Sequence, residues 1–289
     1  MKIQTLGLVI HTQKPEAKAL VPAVVAACGR AGVRLIAEPQ HPCGPAFPRS
    51  ERERMREADA LLVLGGDGTI LRAVGMMGPH IRPILGVNIG TLGFLAECAP
   101  NALGEAIGRL SSGDFRLEQR MLLDARLEGE SEAYTALNDV VVTRGSFSRV
   151  LETDICIDGT LAARYAGDGS VVASPTGSTA YSLSAGGPIV APGLDCFVLS
   201  PICPHTLSSR PMVVSAASHI RLRFRPRGED GGMLLSVDGA PGRVLCDAAA
   251  LLIKRSERTL PFVRFTDDRF FELLRNKLSK WGGEMPSGD

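Results

Sequence analysis

Aromatic residues make up only 5% of the 289-residue chain, and Trp281 is its single tryptophan. A core built without rings relies on aliphatic side chains and close backbone approaches, and 32 glycines are present to allow them. Also missing is any run near the roughly 18 uninterrupted apolar residues of a membrane-spanning helix. The opening stretch, Met1 to Lys14, is interrupted by Gln4, Thr5 and His11, so neither a secretion signal nor a membrane partner is expected. Net charge is missing too: 32 Lys+Arg against 31 Asp+Glu leave +1, with no electrostatic drive towards nucleic acid. Any phosphate-bearing partner must therefore be gripped locally. The seven cysteines, Cys28, Cys43, Cys98, Cys156, Cys196, Cys203 and Cys246, are odd in number and contain no C-x-x-C pair. Reduced thiols and a cytoplasmic location fit that pattern, and no metal site held by protein side chains is expected. At 45% hydrophobic and 22% charged residues the chain is an ordinary globular protein, long enough for about two domains.

Periodicity divides the chain into two textures. Ile3 to Ile10 reads as a buried strand, Pro15 opens a helical stretch that Gly32 can close, and Val33 to Ala37 reads as the next strand. A charged helical segment from Ser50 to Asp59 leads into Ala60 to Leu64, an all-apolar run of the kind found in a parallel sheet covered on both faces. A helical pattern through Ile70, Leu71 and Val74, a strand at Ile84 to Val87 and glycine-rich Asn88 to Gly93 complete a doubly wound α/β domain. From about Arg120 strand-length runs follow one another with little helix between them. They lie at Leu122 to Leu127, Val140 to Thr143, Thr153 to Ile157, Val171 to Ser174, Ile220 to Phe224 and Leu234 to Val237. That rhythm predicts a C-terminal β-sandwich-like domain. Asp267 to Lys280 reads as a closing helix, with Phe270, Phe271, Leu274 and Leu278 on one stripe, returning to the N-terminal domain. The expected boundaries are 1–119, with 267–289 packing back on it, and 120–266.

Asp-Gly pairs recur at Asp67-Gly68, Asp158-Gly159, Asp168-Gly169, Asp230-Gly231 and Asp238-Gly239. For Asp158 and Asp230 a hairpin turn is the expected reading. Asp67 differs, because Gly65-Gly66-Asp67-Gly68-Thr69 joins a buried strand to a helix, at the carboxyl end of a parallel sheet where ligands bind. Glycines there let backbone N–H groups approach phosphate oxygens, and Thr69 adds a hydroxyl at a helix N-terminus. A carboxylate among phosphate donors opposes simple binding but suits general-base or metal-assisted work on a hydroxyl being phosphorylated. A glycine turn capped by Asp67 is the structural alternative. No Gly-Lys pair occurs anywhere, so there is no Walker A signature, and G-x-G-x-x-G, H-R-D and D-F-G are absent as well.

The pentapeptide Gly65-Gly66-Asp67-Gly68-Thr69 resembles the motif shared by NAD kinases, diacylglycerol and sphingosine kinases and 6-phosphofructokinases. Asn138-Asp139 and the run from Ser174-Pro175-Thr176-Gly177-Ser178-Thr179-Ala180-Tyr181 to Pro188 resemble NAD kinases specifically, and Asn88 to Leu95 and His205 to Pro211 match further blocks of that family. The resemblance covers roughly residues 1 to 280. It implies transfer of a phosphoryl group from ATP to the 2′-hydroxyl of the adenosine ribose of NAD, in a cleft between the domains. Asp67 would be the proton acceptor, and Gly65, Gly66, Gly68 and Thr69 would hold the ATP phosphates. NAD would be bound by Asp67, Gly68, Arg72, Asn138, Asp139, Arg149, Asp168 and the segment Thr179, Ala180, Tyr181, Ser182, Leu183, Ser184. Magnesium, or another divalent metal, would travel with ATP, and the family implies a homodimer or homotetramer.

Read as residues alone, several of these positions keep a second meaning. Asn138-Asp139 also fits an Asx-turn opening a strand, Tyr181 a core aromatic, Arg72 a solvated helix face and Thr176 to Gly187 a polar surface loop. Two positions depart from the family pattern: Ala240 where many members carry glutamine, and Ala166 near a usual basic residue. A lipid or sugar kinase with the same glycine motif, and a sensor that binds NAD or NADP without turnover, are the rival functions.

Overall fold

The computed structural model describes residues 1–36, 53–90, 93–145, 150–206, 208–226, 232–240, 242–245, 248–266 and 270–281. They form two compact units, one of residues 1–119 with 261–289 and one of residues 120–260. The chain passes between them within two long strands, Arg116–Leu127 and Ala249–Arg264.

The first unit is built on a parallel sheet. Strands β1 (Thr5–Ile10), β2 (Arg34–Ile36), β3 (Ala60–Gly65) and β4 (Ile84–Asn88) lie in the order β2-β1-β3-β4. All these neighbours are parallel, and Phe262 of the long Ala249–Arg264 strand pairs beside Ile84. β1 and β3 are buried at every position, as continuous apolar runs in a doubly covered sheet must be. One core runs through Leu6, Leu8, Leu62, Leu64 and Val87 to Val24 and Ala27 of the preceding helices and to Ile107 and Leu110. The stretch expected as one helix from Pro15 is two, α1 (Pro15–Ala19) and α2 (Val21–Ala31). Pro22 lacks the N–H that would continue the first helix, so a second one starts there, and Gly32 in the left-handed conformation (φ 67°) closes it as expected. Of the expected Ser50–Asp59 helix, residues 50–52 lie outside the described residues and only residues 53–55 are helical. Helix α3 (Asp67–Met77) follows β3, and α4 is Leu103–Ser112.

The terminal helix α5 (Phe270–Trp281) belongs to this first unit. It docks through Phe270, 7% exposed, whose ring centroid lies 6.0 Å from that of Phe94. The expected stripe needs correction: Phe271 (67%) and Leu278 (41%) face outward. The docked face is instead Phe270, Leu273, Leu274 and Lys277, at spacings of three, four and seven.

The second unit is antiparallel. One sheet has the order Met212–Ser215, Cys196–Ile202, Gly169–Ala173, Asp139–Arg144, Met233–Val237, Arg243–Leu245. The facing strands include Leu151–Ile157, Thr160–Gly167 and Ile220–Pro226. Val140, Val142, Val172, Phe197 and Leu199 of the first sheet share one core with Leu151, Ile155, Leu222 and Phe224 of the other, giving the expected sandwich. The outer face of the first sheet is covered as well: Val141, Val171, Val198 and Ile202 pack with Val190 and Ala185 of the segment that crosses it.

Candidate active site

Among the described residues of the first unit three side-chain polar atoms are buried without a hydrogen-bond partner, and all lie at the carboxyl ends of parallel strands. They are Nδ1 of His11 after β1, Oγ1 of Thr69 after β3 and Oδ1 of Asn88 ending β4. Buried polar groups are normally paired, and three exceptions at the carboxyl ends of adjacent strands make this end of the sheet the candidate site. Between them runs the glycine-rich loop. Gly66 is the extended N-cap of α3 (φ −94°), and no side chain caps the helix; the Thr69 and Ile70 N–H groups donate to the Gly66 carbonyl at 2.9 and 3.3 Å, which leaves those of Asp67 and Gly68 for a ligand.

Asp67 opens that helix, and its carboxylate is held from elsewhere. The N–H groups of Phe94 and Leu95 donate to Oδ2 and Oδ1 at 2.9 and 3.1 Å. A Cβ on Gly93 would fall inside the carboxylate, so the loop comes this close only because residue 93 is glycine. Arg264, nearly buried, fixes the same loop by donating to the Leu95 carbonyl at 3.3 Å and to Glu97 at 3.1 Å. Its Nε reaches Glu118 at 2.6 Å. The Lys277 ammonium lies 4.2 Å from the Phe94 ring centroid; burial lowers its basicity, while the Asp67 charge acts in the opposite direction. Sequence reasoning missed Gly93, Phe94, Leu95 and Lys277 as neighbours of Asp67, although the glycine-rich Asn88 to Gly93 stretch was the available signal. Arg72 sits exposed on α3.

The second unit gathers most of the other expected residues. Asn138 and Asp139 are both buried, and the Asn138 Oδ1 has no partner. Their backbone is anchored by Asp238, whose carboxylate accepts N–H groups of Leu137, Asn138 and Asp139 at 2.8, 2.7 and 3.1 Å. Asp238 itself occupies a left-handed turn (φ 51°) that Gly239 continues. Burial, then the Asp238 charge, pushes the Asp139 carboxyl up to about 7. This clamping role of Asp238 left no trace in sequence beyond the Asp-Gly pair.

The segment from Thr176, for which a polar surface loop is the alternative reading, is ordered into a 3-10 turn, Thr176–Thr179, and one helical turn, Tyr181–Ser184. It reaches Asn138 directly: Gly177 lies against that residue's backbone, where a Cβ has no room, and the Ser174 N–H donates to the Asn138 carbonyl at 2.8 Å. Ser182 is fully buried with its Oγ 2.9 Å from Ser200 Oγ, so its side chain serves the fold. Ala180 and Leu183 are half-buried, Ser184 is exposed, and Thr179 Oγ1 donates back to Thr176. Tyr181 is 42% exposed, which removes the core-aromatic reading. The charges of Asp168 and Asp139 both act on its hydroxyl, after burial and Cys203, so these groups are neighbours. Asp168 is paired with Arg144 at 2.9 Å. Arg149 and Asp230 lie outside the described residues. Asp158-Gly159 forms the expected hairpin turn (φ 49° and 83°).

A parallel α/β unit with a glycine-rich, carboxylate-bearing loop at a helix N-terminus, joined in one chain to a β-sandwich, is the construction of a nucleotide-dependent phosphotransferase. Comparison with known proteins narrows the class. A family model for the ATP-NAD kinase N-terminal domain matches residues 6–115, and one for the ATP-NAD kinase C-terminal domain matches residues 137–265. The NAD kinase of Moorella thermoacetica is 39% identical over 287 residues, covering 98% of this chain and 92% of that protein. That of Symbiobacterium thermophilum is 42% identical over 258 residues, covering 88% and 86%. Among solved structures, yeast NADH kinase complexed with NADH aligns with a TM-score of 0.87 at 26% identity, over 100% of this chain and 90% of that one. An NAD kinase from Archaeoglobus fulgidus in complex with ATP gives 0.75 at 26% identity, over 95% and 98%. The chain belongs to the ATP-NAD kinase family.

Proposed function

We propose that this chain phosphorylates the 2′-hydroxyl of the adenosine ribose of NAD with Mg-ATP, giving NADP and ADP, and that Asp67 accepts the hydroxyl proton. The carrying observation is the Asp67 carboxylate, fixed by the amides of Phe94 and Leu95 at a glycine loop whose Thr69 Oγ1 is buried without a hydrogen-bond partner. Phosphoryl transfer asks a protein mainly for positioning and charge stabilisation. Gly65, Gly66, Gly68 and Thr69 hold the ATP phosphates on the first N–H groups of α3. Magnesium enters with ATP as part of the substrate, and another divalent metal can take its place. NAD is held by Gly68 and Arg72 beside Asp67, and by Asn138, Asp139, Arg149, Asp168 and residues 179–184. The orphaned Asn138 Oδ1 suits the donor edge of a base or a ribose hydroxyl. On this reading residues 1–119 with 267–289 form the donor domain and residues 120–266 the NAD domain. The protein works in the cytoplasm as a homodimer or homotetramer, without a nucleic-acid or membrane partner; among the described residues no helix is long and apolar enough to cross a membrane.

The test is NADP formation from NAD and Mg-ATP by the purified protein, read with an NADP-specific dehydrogenase. Asp67→Asn is expected to lose about 10³-fold in turnover, the scale of a general base, with its melting temperature nearly kept. Near-normal turnover of that variant overturns Asp67 as the base. NAD binding by the wild type with no product would favour a sensor. Light scattering at working concentration checks the assembly, which a clean monomer would contradict.

A further inference from the structure

The glycine loop lacks something that phosphate-binding loops ordinarily carry. Residues 65–69 offer backbone N–H groups, a hydroxyl and a carboxylate, but no cation, and no Gly-Lys pair exists in the chain to supply one. We propose that Lys277, from the opposite end of the sequence, is that cation and contacts the phosphate oxygens of the donor nucleotide. The inference rests on the reading that the phosphates sit on Gly65 to Thr69.

Four observations converge on Lys277. It occupies the i+7 position of the docked face of α5, after Phe270, Leu273 and Leu274, where an apolar residue would continue the stripe. Its ammonium lies over the Phe94 ring at 4.2 Å, and the N–H of that same residue holds Asp67. Among the described residues it forms no ion pair within 4.0 Å, and the carboxylate whose charge it feels is Asp67, already satisfied by two amides. Its stem is half-buried, so the charge is partly desolvated, and only the Asp67 charge acts against that. An aromatic-anchored ammonium with no direct ion pair among the described residues, felt by Asp67 at the start of α3, is complementary to an oxyanion, and a triphosphate is the oxyanion this enzyme class brings there.

The rival meaning is a pin that merely holds α5 on Phe94. Lys277→Met keeps the length and apolar stem but removes the charge, and Lys277→Arg restores charge on a similar stem. With Mg-ATP and NAD, Lys277→Met is expected to lower kcat/KM for ATP about 10²-fold, the scale of one preorganised electrostatic contact. KM for NAD should stay within about twofold and the melting temperature near that of the wild type, and Lys277→Arg should regain about tenfold of the loss. Calorimetry with Mg-ATP alone should show weakened binding for Lys277→Met. Wild-type kcat/KM in Lys277→Met overturns the inference, and so does a loss of stability with unchanged kinetics. Gly68→Ala, run alongside, separates the two levels: if it is fully active, the loop is not the phosphate site and the underlying reading falls. If it is impaired while Lys277→Met is not, the lysine assignment alone falls.

Discussion

Gly68 offers the sharpest separation between a residue kept for folding and one kept for a ligand. It is the second residue of α3, exposed, and a Cβ built on it meets no atom within 4 Å. Its φ is not in the left-handed region, so alanine fits the backbone without strain. On folding alone, Gly68→Ala should therefore help: alanine in a helix is favoured by about 0.5–1 kcal/mol, partly by restricting the unfolded chain. For a chain of this size that is a rise in melting temperature of about 1–3 °C. Catalysis should move the other way. An N–H donates to a phosphate oxygen at about 2.9 Å, and a methyl projecting into the same approach pushes that oxygen out by on the order of 1 Å. Displacements of that size cost about 10²-fold in rate. Differential scanning fluorimetry and initial NADP formation at varied ATP give both readouts, and the expected signature is a protein more stable and less active than the wild type. Gly65→Ala is the contrast, because its Cβ would lie 2.5 Å from Thr69 Cβ and 2.9 Å from its Cγ2, so that variant should lose about 1–3 kcal/mol of stability. A Gly68→Ala protein that is destabilised, or that keeps full kcat/KM for ATP, refutes the reasoning.

Two further outcomes follow from the clamps on the acidic residues. Gly93→Ala drives a methyl into the Asp67 carboxylate and breaks its bonds to Phe94 and Leu95; turnover should fall at least about 10²-fold, with about 1–3 kcal/mol lost in chemical denaturation. Wild-type rates in that variant would show that the amide clamp is dispensable. Asp139 binds its proton more tightly in the folded protein than in the unfolded chain, because burial and then Asp238 raise it from 3.8 to about 7. Stability is therefore lost as pH rises from about 4 to about 7, by at most on the order of 4 kcal/mol from this group. Asp139→Asn should flatten that slope and raise the melting temperature at pH 8, whereas an unchanged slope would assign the pH dependence to other groups.

The parallel sheet was legible because its strands are buried on both faces. Ala60 to Leu64 and Ile84 to Val87 were found within one residue, since uninterrupted aliphatic runs bounded by charge and glycine have few other uses. The strand Thr160–Gly167 escaped, as five of its first six residues are exposed or half-exposed alanine, leucine, threonine and arginine with no alternation to detect. Tyr181–Ser184 likewise has no helical period, because one turn is too short to show one. In the site, the glycine loop could be picked out by residue type, whereas Asn138-Asp139 stood out only through the resemblance to the NAD kinase family. Their supports could not: Phe94 and Leu95 act through backbone N–H groups, which no side chain advertises, and Asp238 reaches Asn138 across 100 residues. The stripe on α5 failed differently, since Phe271 and Phe270 look equivalent in sequence and only the docking partner Phe94 distinguishes them.

The discontinuity of the first unit sets an order of events during synthesis. A ribosome releases residues 1–119 first, with the glycine loop already among them, yet Phe262 beside β4, Arg264 on the 95–97 loop and α5 against Phe94 arrive only after residue 260. The nascent chain therefore carries an exposed edge at β4 and an unbraced Asp67 loop throughout the making of the second unit, and gains these supports only when the strand and helix after residue 260 emerge. The residues that support the Asp67 loop are thus among the last to be made, although the loop itself is among the first.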